Sequence, residues 1–273
     1  MATGKEIKRR QESIRNIYQI TKAMKLVSTV RLQKVRGRVE KQKSYTRALL
    51  AMMKDLLQEI NDKEEQKKKK MVVFLTSNRG LAGGYHLKMV SRLKEANFIP
   101  ENTQLYVIGT KGREALKANG YLIKQDYSEI WNTWEEKDIK NLAEDLVKDF
   151  FTQKSDSIFC VYMEFYHPIK QVVQLQEVLP EKSKRLAKYA EEFEVLENQE
   201  IEAFFVDYLQ EILSGILLEG IASEQGARLA AMDQASENAE ELLEELSLNY
   251  HRTRQKNITQ ELTELIGSIG GIV

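Results

Sequence analysis

The three prolines of this 273-residue chain, Pro100, Pro168 and Pro180, all lie in its middle third. About the first hundred and the last ninety residues therefore lack the strongest helix breaker. Both arms carry helical periodicity. Ile17, Ile20, Met24 and Val27 recur at spacings of three and four, as do Leu32, Val35 and Val39, and Tyr45, Leu49, Met52, Leu56 and Ile60 continue the stripe. The phase slips between Val27 and Leu32, where Thr21, Ser28 and Arg31 interrupt the apolar face. That pattern predicts a long amphipathic helix, not a uniform zipper. A second long helix is expected from Val206 to about Ile266. Its stripe begins at Leu209, Leu213, Ile216 and Gly220, turns small at Ala227, Ala231, Ala235 and Ala239, and returns to Leu242, Leu246 and Tyr250. Alanine favours helix and lets helices approach closely. Gly267, Gly270 and Gly271 should end it, leaving Ile272 and Val273 as an apolar tip.

A compact chain of this length has a radius of gyration of roughly 18 Å. A helix of about 57 residues is roughly 85 Å long. It cannot stay inside such a globule, so the economical arrangement pairs the terminal helices antiparallel as a protruding rod.

Between the arms the period changes. Residues 71–77, 104–109 and 157–165 read as strands, and 171–179 pairs with the last of them through the turn at 166–169. Helices are expected near 87–96, 111–119 and 134–151, the last opened by a capping box of Thr133 with Glu136. Alternating strands and helices imply a mainly parallel sheet. The expected fold is therefore α/β: a long antiparallel coiled coil of N- and C-terminal helices with a central Rossmann-like α/β domain. The boundaries are an N-terminal coiled-coil helix over 1–62, a linker over 63–70, the α/β domain over 71–200 and a C-terminal coiled-coil helix over 201–273.

Charge separates the same segments. The whole chain balances 41 basic against 41 acidic residues. Met1 to Arg47, with 14 basic and 3 acidic residues, carries +11, whereas Glu177 to Glu245, with 5 and 18, carries −13. The basic arm suits an acidic partner protein or, alternatively, a nucleic acid read by a coiled-coil protein. Its cations surround the helix instead of forming one stripe, and aromatics are sparse. Cys160 is the single cysteine, which excludes an internal disulfide and fits a reducing compartment. No apolar run approaches the ~20 residues that span a bilayer, and the first ten residues have no signal-peptide core, so a soluble chain is expected.

Catalytic chemistry finds little to stand on. Thr76-Ser77-Asn78-Arg79-Gly80-Leu81-Ala82-Gly83-Gly84 follows a strand and leads into a helix, where phosphate loops sit, but it matches neither GxGxxG nor GxxxxGK[ST]. A tight turn requiring glycine is the simpler reading. His86, His167 and His251 are scattered and read as surface or turn residues, and Cys160 as a buried small hydrophobe. No catalytic residue, cofactor or metal site is expected. The hydrogen-bonding run Arg252 to Leu262 suits a polar socket in a partner.

Four stretches then resemble the γ subunit of F-type ATP synthases. They are Ile20-Thr21-Lys22-Ala23-Met24 with Val27-Ser28; the Thr76–Gly84 loop; Ala222-Ser223-Glu224-Gln225 with Arg228, Ala231-Met232 and Asn238-Ala239; and Arg254-Gln255 with Ile258-Thr259-Gln260-Glu261-Leu262. Asn78 stands where that family usually has Asp, Ala82 where many members have Cys, and Asp233 where Lys is common. The resemblance implies a non-catalytic rotor subunit of an ion-translocating complex. Its paired helices would turn inside a hexamer of α and β subunits, above ε and the membrane c ring, on the cytoplasmic face of a bacterial plasma membrane. It implies no nucleic-acid partner and no cofactor. It also implies that Arg254 and Gln255 meet a catch loop of β, that Met24 lies near the acidic lever of β, and that Ile269, Ile272 and Val273 turn in an apolar bearing.

Overall fold

The computed structural model describes residues 4–58, 69–133, 135–152, 155–180, 183 and 198–270. The elements are α1 (Gly4–Gln58), β1 (Lys69–Leu75), α2 (Tyr85–Glu95), a 3-10 turn (Pro100–Asn102), β2 (Thr103–Ile108), α3 (Thr110–Ala118), β3 (Ile123–Asp126), α4 (Ile130–Thr133), α5 (Glu136–Thr152), β4 (Ser155–His167), β5 (Lys170–Leu179) and α6 (Asn198–Gly270). Two compact units result: Met1–Val27 with Leu229–Val273, and Ser28–Arg228.

In the first unit the ends of α1 and α6 pack antiparallel. Thr21 Oγ1 accepts a 2.9 Å hydrogen bond from Ser236, Lys25 pairs with Asp233, and Gly4 lies near Tyr250. On α1 one series withdrawn from solvent is Ile7, Gln11, Ile14, Tyr18, Thr21 and Lys25, with Gly4 and Met24 half-buried beside it. On α6 the matching series is Met232, Ser236, Ala239, Leu243, Leu246, Tyr250 and Thr253, flanked by the half-buried Ala231, Asp233, Ala235, Ser247 and Asn249. Both series alternate steps of four and three, the spacing that keeps one seam facing a partner helix. The seam is thus regular in position but mixed in polarity.

In the second unit the same spacing continues along α1 through Ser28, Leu32, Val35, Val39, Gln42, Thr46, Leu49 and Met53. No slip occurs between Val27 and Leu32; the apparent one came from following apolar residues alone. Here α6 comes close to α1 at Gly215, where an added Cβ would stand 2.0 Å from Thr46 Oγ1.

The sheet of this unit has the order β3-β2-β1-β4-β5. Strands β1 to β4 are parallel, with Val72 beside Leu105 and Val73 beside Cys160, and β5 returns antiparallel from β4. Met71 to Leu75 are fully buried, as expected for a central parallel strand covered on both faces. Val72, Phe74, Met89, Leu93, Leu105 and Leu116 share one core with Tyr85. Each such side chain contributes about 1.5–3 kcal/mol when withdrawn from water.

Several expectations shift at this level. Strand β1 starts at Lys69, so two of the linker lysines belong to the sheet, and α6 starts eight residues before Val206. It also continues past Gly267 to Gly270. Strand β3 and helix α4 lack a readable pattern: β3 is short and carries one apolar residue, Ile123, in Ile-Lys-Gln-Asp. The capping box of Thr133 with Glu136 does not form. Thr133 instead closes α4, and its hydroxyl donates to the Asp138 carboxylate at 3.1 Å, while Glu136 accepts from Gln210.

Candidate functional site

The apolar residues of the N-terminal signature face outward. Ile20 is 58% and Val27 53% exposed, with Ile17, Leu26 and Val30 similar, whereas the polar Thr21 and Ser28 are buried. Met24 is half-buried. The stripe read from this stretch is therefore not the seam but a face beside it. Large apolar side chains on an exposed helix face mark a surface for a partner. Near the other end of the chain Arg254 and Gln255 are exposed, as are Ile258 and Leu262. Leu242, expected in the stripe, is also exposed, because steps of four drift off a seam that repeats every seven residues. Ile269 lies within α6. Ile272 and Val273 lie outside the described residues.

The Thr76–Gly84 loop is held by a polar core of α6. Glu224 and Arg228, one helical turn apart and both buried, pair at 2.6 Å. Arg228 donates to the carbonyl oxygens of Arg79 and Gly80 at 3.2 and 3.1 Å. Glu224 also accepts from Trp131 Nε1 at 3.1 Å and from Gln225 at 3.0 Å. Gly83 takes φ 58°, as a glycine turn requires, but the residue before Ala82 that does the same is Leu81, with φ 62° and its side chain exposed. Gly109, at the end of β2, has φ 108°, and a Cβ there would stand 2.2 Å from Thr76 O.

Asn78 ties three loops together. Its carbonyl oxygen accepts from the Thr110 amide at 2.8 Å, its amide donates to Ser128 O at 2.9 Å, and its main-chain oxygen accepts from Thr110 Oγ1. An aspartate could keep the first contact but would set an acceptor against Ser128 O. This is a structural reason for asparagine here.

Of the sequence candidates for chemistry, one settles differently from its expectation. His86 is half-buried, not a surface residue: its Nε2 lies 3.4 Å from Ser77 Oγ, its Nδ1 is buried without a hydrogen-bond partner, and burial lowers its pKa. His167 and His251 are exposed. Cys160 is fully buried, and burial raises its thiol pKa. A further charged cluster escaped the sequence altogether. Lys43 reaches Glu164 at 2.5 Å and Glu219 at 3.6 Å, and Glu164 also meets Arg47, Gln174 and Tyr166. Burial pushes the Glu164 carboxyl up, but the hydrogen bonds from Lys43, Gln174 and Tyr166 outweigh it and hold the pKa low. Glu219 has fewer donors, and burial raises its pKa. Among the described residues no helix is long and apolar enough to cross a membrane, and no cluster of His, Cys, Asp and Glu could hold a metal ion.

Long N- and C-terminal helices with a central, predominantly parallel sheet make a fold class also found in ATP synthase central stalks. The fold is similar to a chain of the Euglena gracilis mitochondrial ATP synthase (OSCP/F1/c-ring, rotational state 3), with a TM-score of 0.76 at 19% identity, covering 98% of this chain and 94% of that one. It is similar to a chain of the Tetrahymena thermophila mitochondrial ATP synthase central stalk and c-ring, with a TM-score of 0.64 at 24% identity over 80% and 99%. The family described as ATP synthase matches residues 3–271. The ATP synthase gamma chain of Lachnoclostridium phytofermentans is 35% identical across the whole of both chains, and that of Clostridium botulinum (strain Okra / Type B1) 35% identical over 96% and 95%. The chain belongs to the ATP synthase gamma-chain family. Nothing in these matches supports the nucleic-acid alternative.

Proposed function

We propose that this chain is the non-catalytic rotor of an F-type ATP synthase, coupling proton or sodium-ion flow through a membrane c ring to ATP synthesis or hydrolysis at the β subunits of an α/β hexamer. The observation that carries the reading is the outward face of the terminal helices. Ile20 and Val27 stand in solvent beside a seam that buries threonine and serine, an arrangement folding alone does not favour. Arg254 and Gln255 likewise present charge and amide groups outward. In this reading residues 1–62 and 201–273 form the shaft, 71–200 form the base that meets ε and the c ring, and the complex sits on the cytoplasmic face of a bacterial plasma membrane.

A shaft acts by differential contact: each rotor angle must stabilise one β conformation over another, or turning it changes no nucleotide affinity. Arg254 and Gln255 would supply directional contacts to a β catch loop, and Met24 would lie near the β lever. Ile269, Ile272 and Val273 would supply non-directional apolar contact, which tolerates rotation. The test is the double substitution Arg254→Ala, Gln255→Ala in the assembled complex. Torque and coupling of ATP hydrolysis to ion transport should fall while the melting temperature of the chain is unchanged. Unaltered torque and coupling would remove these residues from the mechanism.

A further inference from the structure

The carboxyl ends of β1, β2 and β3 open into a cavity of about 690 Å3, lined by residues that follow each strand: Asn78 and Arg79, Thr110, and Ser128, Glu129, Trp131 and Asn132. Strand β1 is the point where the order of the sheet reverses, since the chain leaves it toward β2 and returns to its other side as β4. In open parallel sheets ligands bind outside the carboxyl ends of the strands, and the cavity takes that position on the β2 side of the reversal. Its volume falls within the range of small-molecule sites, roughly 300–1,000 Å3.

The walls are fixed in advance. Asn78 links the β1, β2 and β3 loops, and Arg228 and Glu224 lock the first and third of them to α6 through the Arg79 and Gly80 carbonyls and Trp131. A ligand entering here orders little that is not already ordered, which favours affinity. The charge of the lining selects the ligand. Arg31, Lys34 and Arg79 are exposed cations around the opening. The Glu224 carboxylate inside is already matched by Arg228, so Glu129 is the one acidic group on the wall left to oppose them. Three cations spread over a loop and one face of α1 match the several oxygens of a phosphate group.

We infer that this crevice is a binding site for a small phosphate-bearing anion. The site shares no residue with the rotor surfaces at Arg254, Gln255 and Ile20, and it stands or falls without them. Binding adds no catalysis: the loop has no free nucleophile, because Ser77 is fully buried and donates to Arg79 O.

The test is titration of the purified full-length chain with inorganic pyrophosphate, followed by tryptophan fluorescence, since Trp131 lines the cavity. A saturable change is expected, and ADP should also bind while adenosine should not. The triple variant Arg31→Ala, Lys34→Ala, Arg79→Ala should weaken pyrophosphate at least tenfold with an unchanged melting temperature, because all three side chains are exposed. The control Lys137→Ala, Lys140→Ala on α5 should bind as the parent does. No saturable response, adenosine binding as tightly as ADP, or a triple variant within twofold of the parent would each overturn the site.

Discussion

Arg228 and Glu224 pair at 2.6 Å on one face of α6, both withdrawn from solvent, and together hold the loop that follows β1. Removing one partner leaves the other charge buried, which costs about 3–5 kcal/mol; replacing both with apolar residues of similar volume is far milder. Arg228→Met should therefore lower unfolding free energy by about 3–5 kcal/mol, and adding Glu224→Leu should recover part of it, since Trp131 Nε1 and the Arg79 and Gly80 carbonyls then lack their partners. Denaturant unfolding of the four chains of this cycle checks the claim. Additive losses would show that the pair does not act as a unit.

His86 gives the fold a pH dependence of definite sign. Burial lowers its pKa in the folded chain below the ordinary value of about 6.5. The unfolded chain therefore binds the proton first as pH falls. The stability that neutral His86 contributes is complete above about 6.5 and is lost as pH falls through the lower folded value. The melting temperature should drop between pH 7.5 and 5.5, and His86→Gln should flatten that drop. An equal slope in both chains would assign the dependence to other groups.

The sequence made the helices and sheet legible because their patterns are long and local: a prolonged periodicity with no proline, and strands such as Met71 to Leu75 with no polar residue. It hid the seam. Thr21 and Lys25 occupy seam positions, and only the positions of their partners Ser236 and Asp233, more than two hundred residues away, reveal this. The exposed apolar residues beside them misled for the same reason, since a side chain kept for a partner reads like one kept for a core. The run Arg252 to Leu262 reads as partner-facing from its side chains, whereas the catch-loop assignment of Arg254 and Gln255 rests on resemblance alone. The tie of Glu224 and Arg228 to Trp131 is not legible, because Trp131 comes from α4 and no spacing links it to that i,i+4 pair on α6.

Gly215 permits the close approach of α1 and α6 in the larger unit. A Cβ there meets Thr46 Oγ1 at 2.0 Å, and no small rotamer change on a β-branched side chain relieves that fully. Gly215→Ala should destabilise the chain by about 1–3 kcal/mol, although alanine is the better helix former. Pairing it with Thr46→Ala should return most of the loss. A single substitution that raises the melting temperature would mean that the helices part readily here.

The outward apolar face separates folding from assembly most cleanly. Ile20 is 58% exposed, whereas Leu32, twelve residues along the same helix, is 7% exposed. Ile20→Ala should change the stability of the isolated chain by no more than about 0.5 kcal/mol, and the higher helix propensity of alanine favours a small gain. Leu32→Ala should cost about 2–5 kcal/mol, through lost burial and the cavity left behind. If the exposed face meets a partner, Ile20→Gln, Val27→Gln should fold normally yet weaken reconstitution with α and β subunits, read as a lower yield of assembled complex by native mass spectrometry. Full assembly with this double variant would mean that the face makes no essential contact, and a large loss of stability in the isolated chain would mean that it packs inward after all.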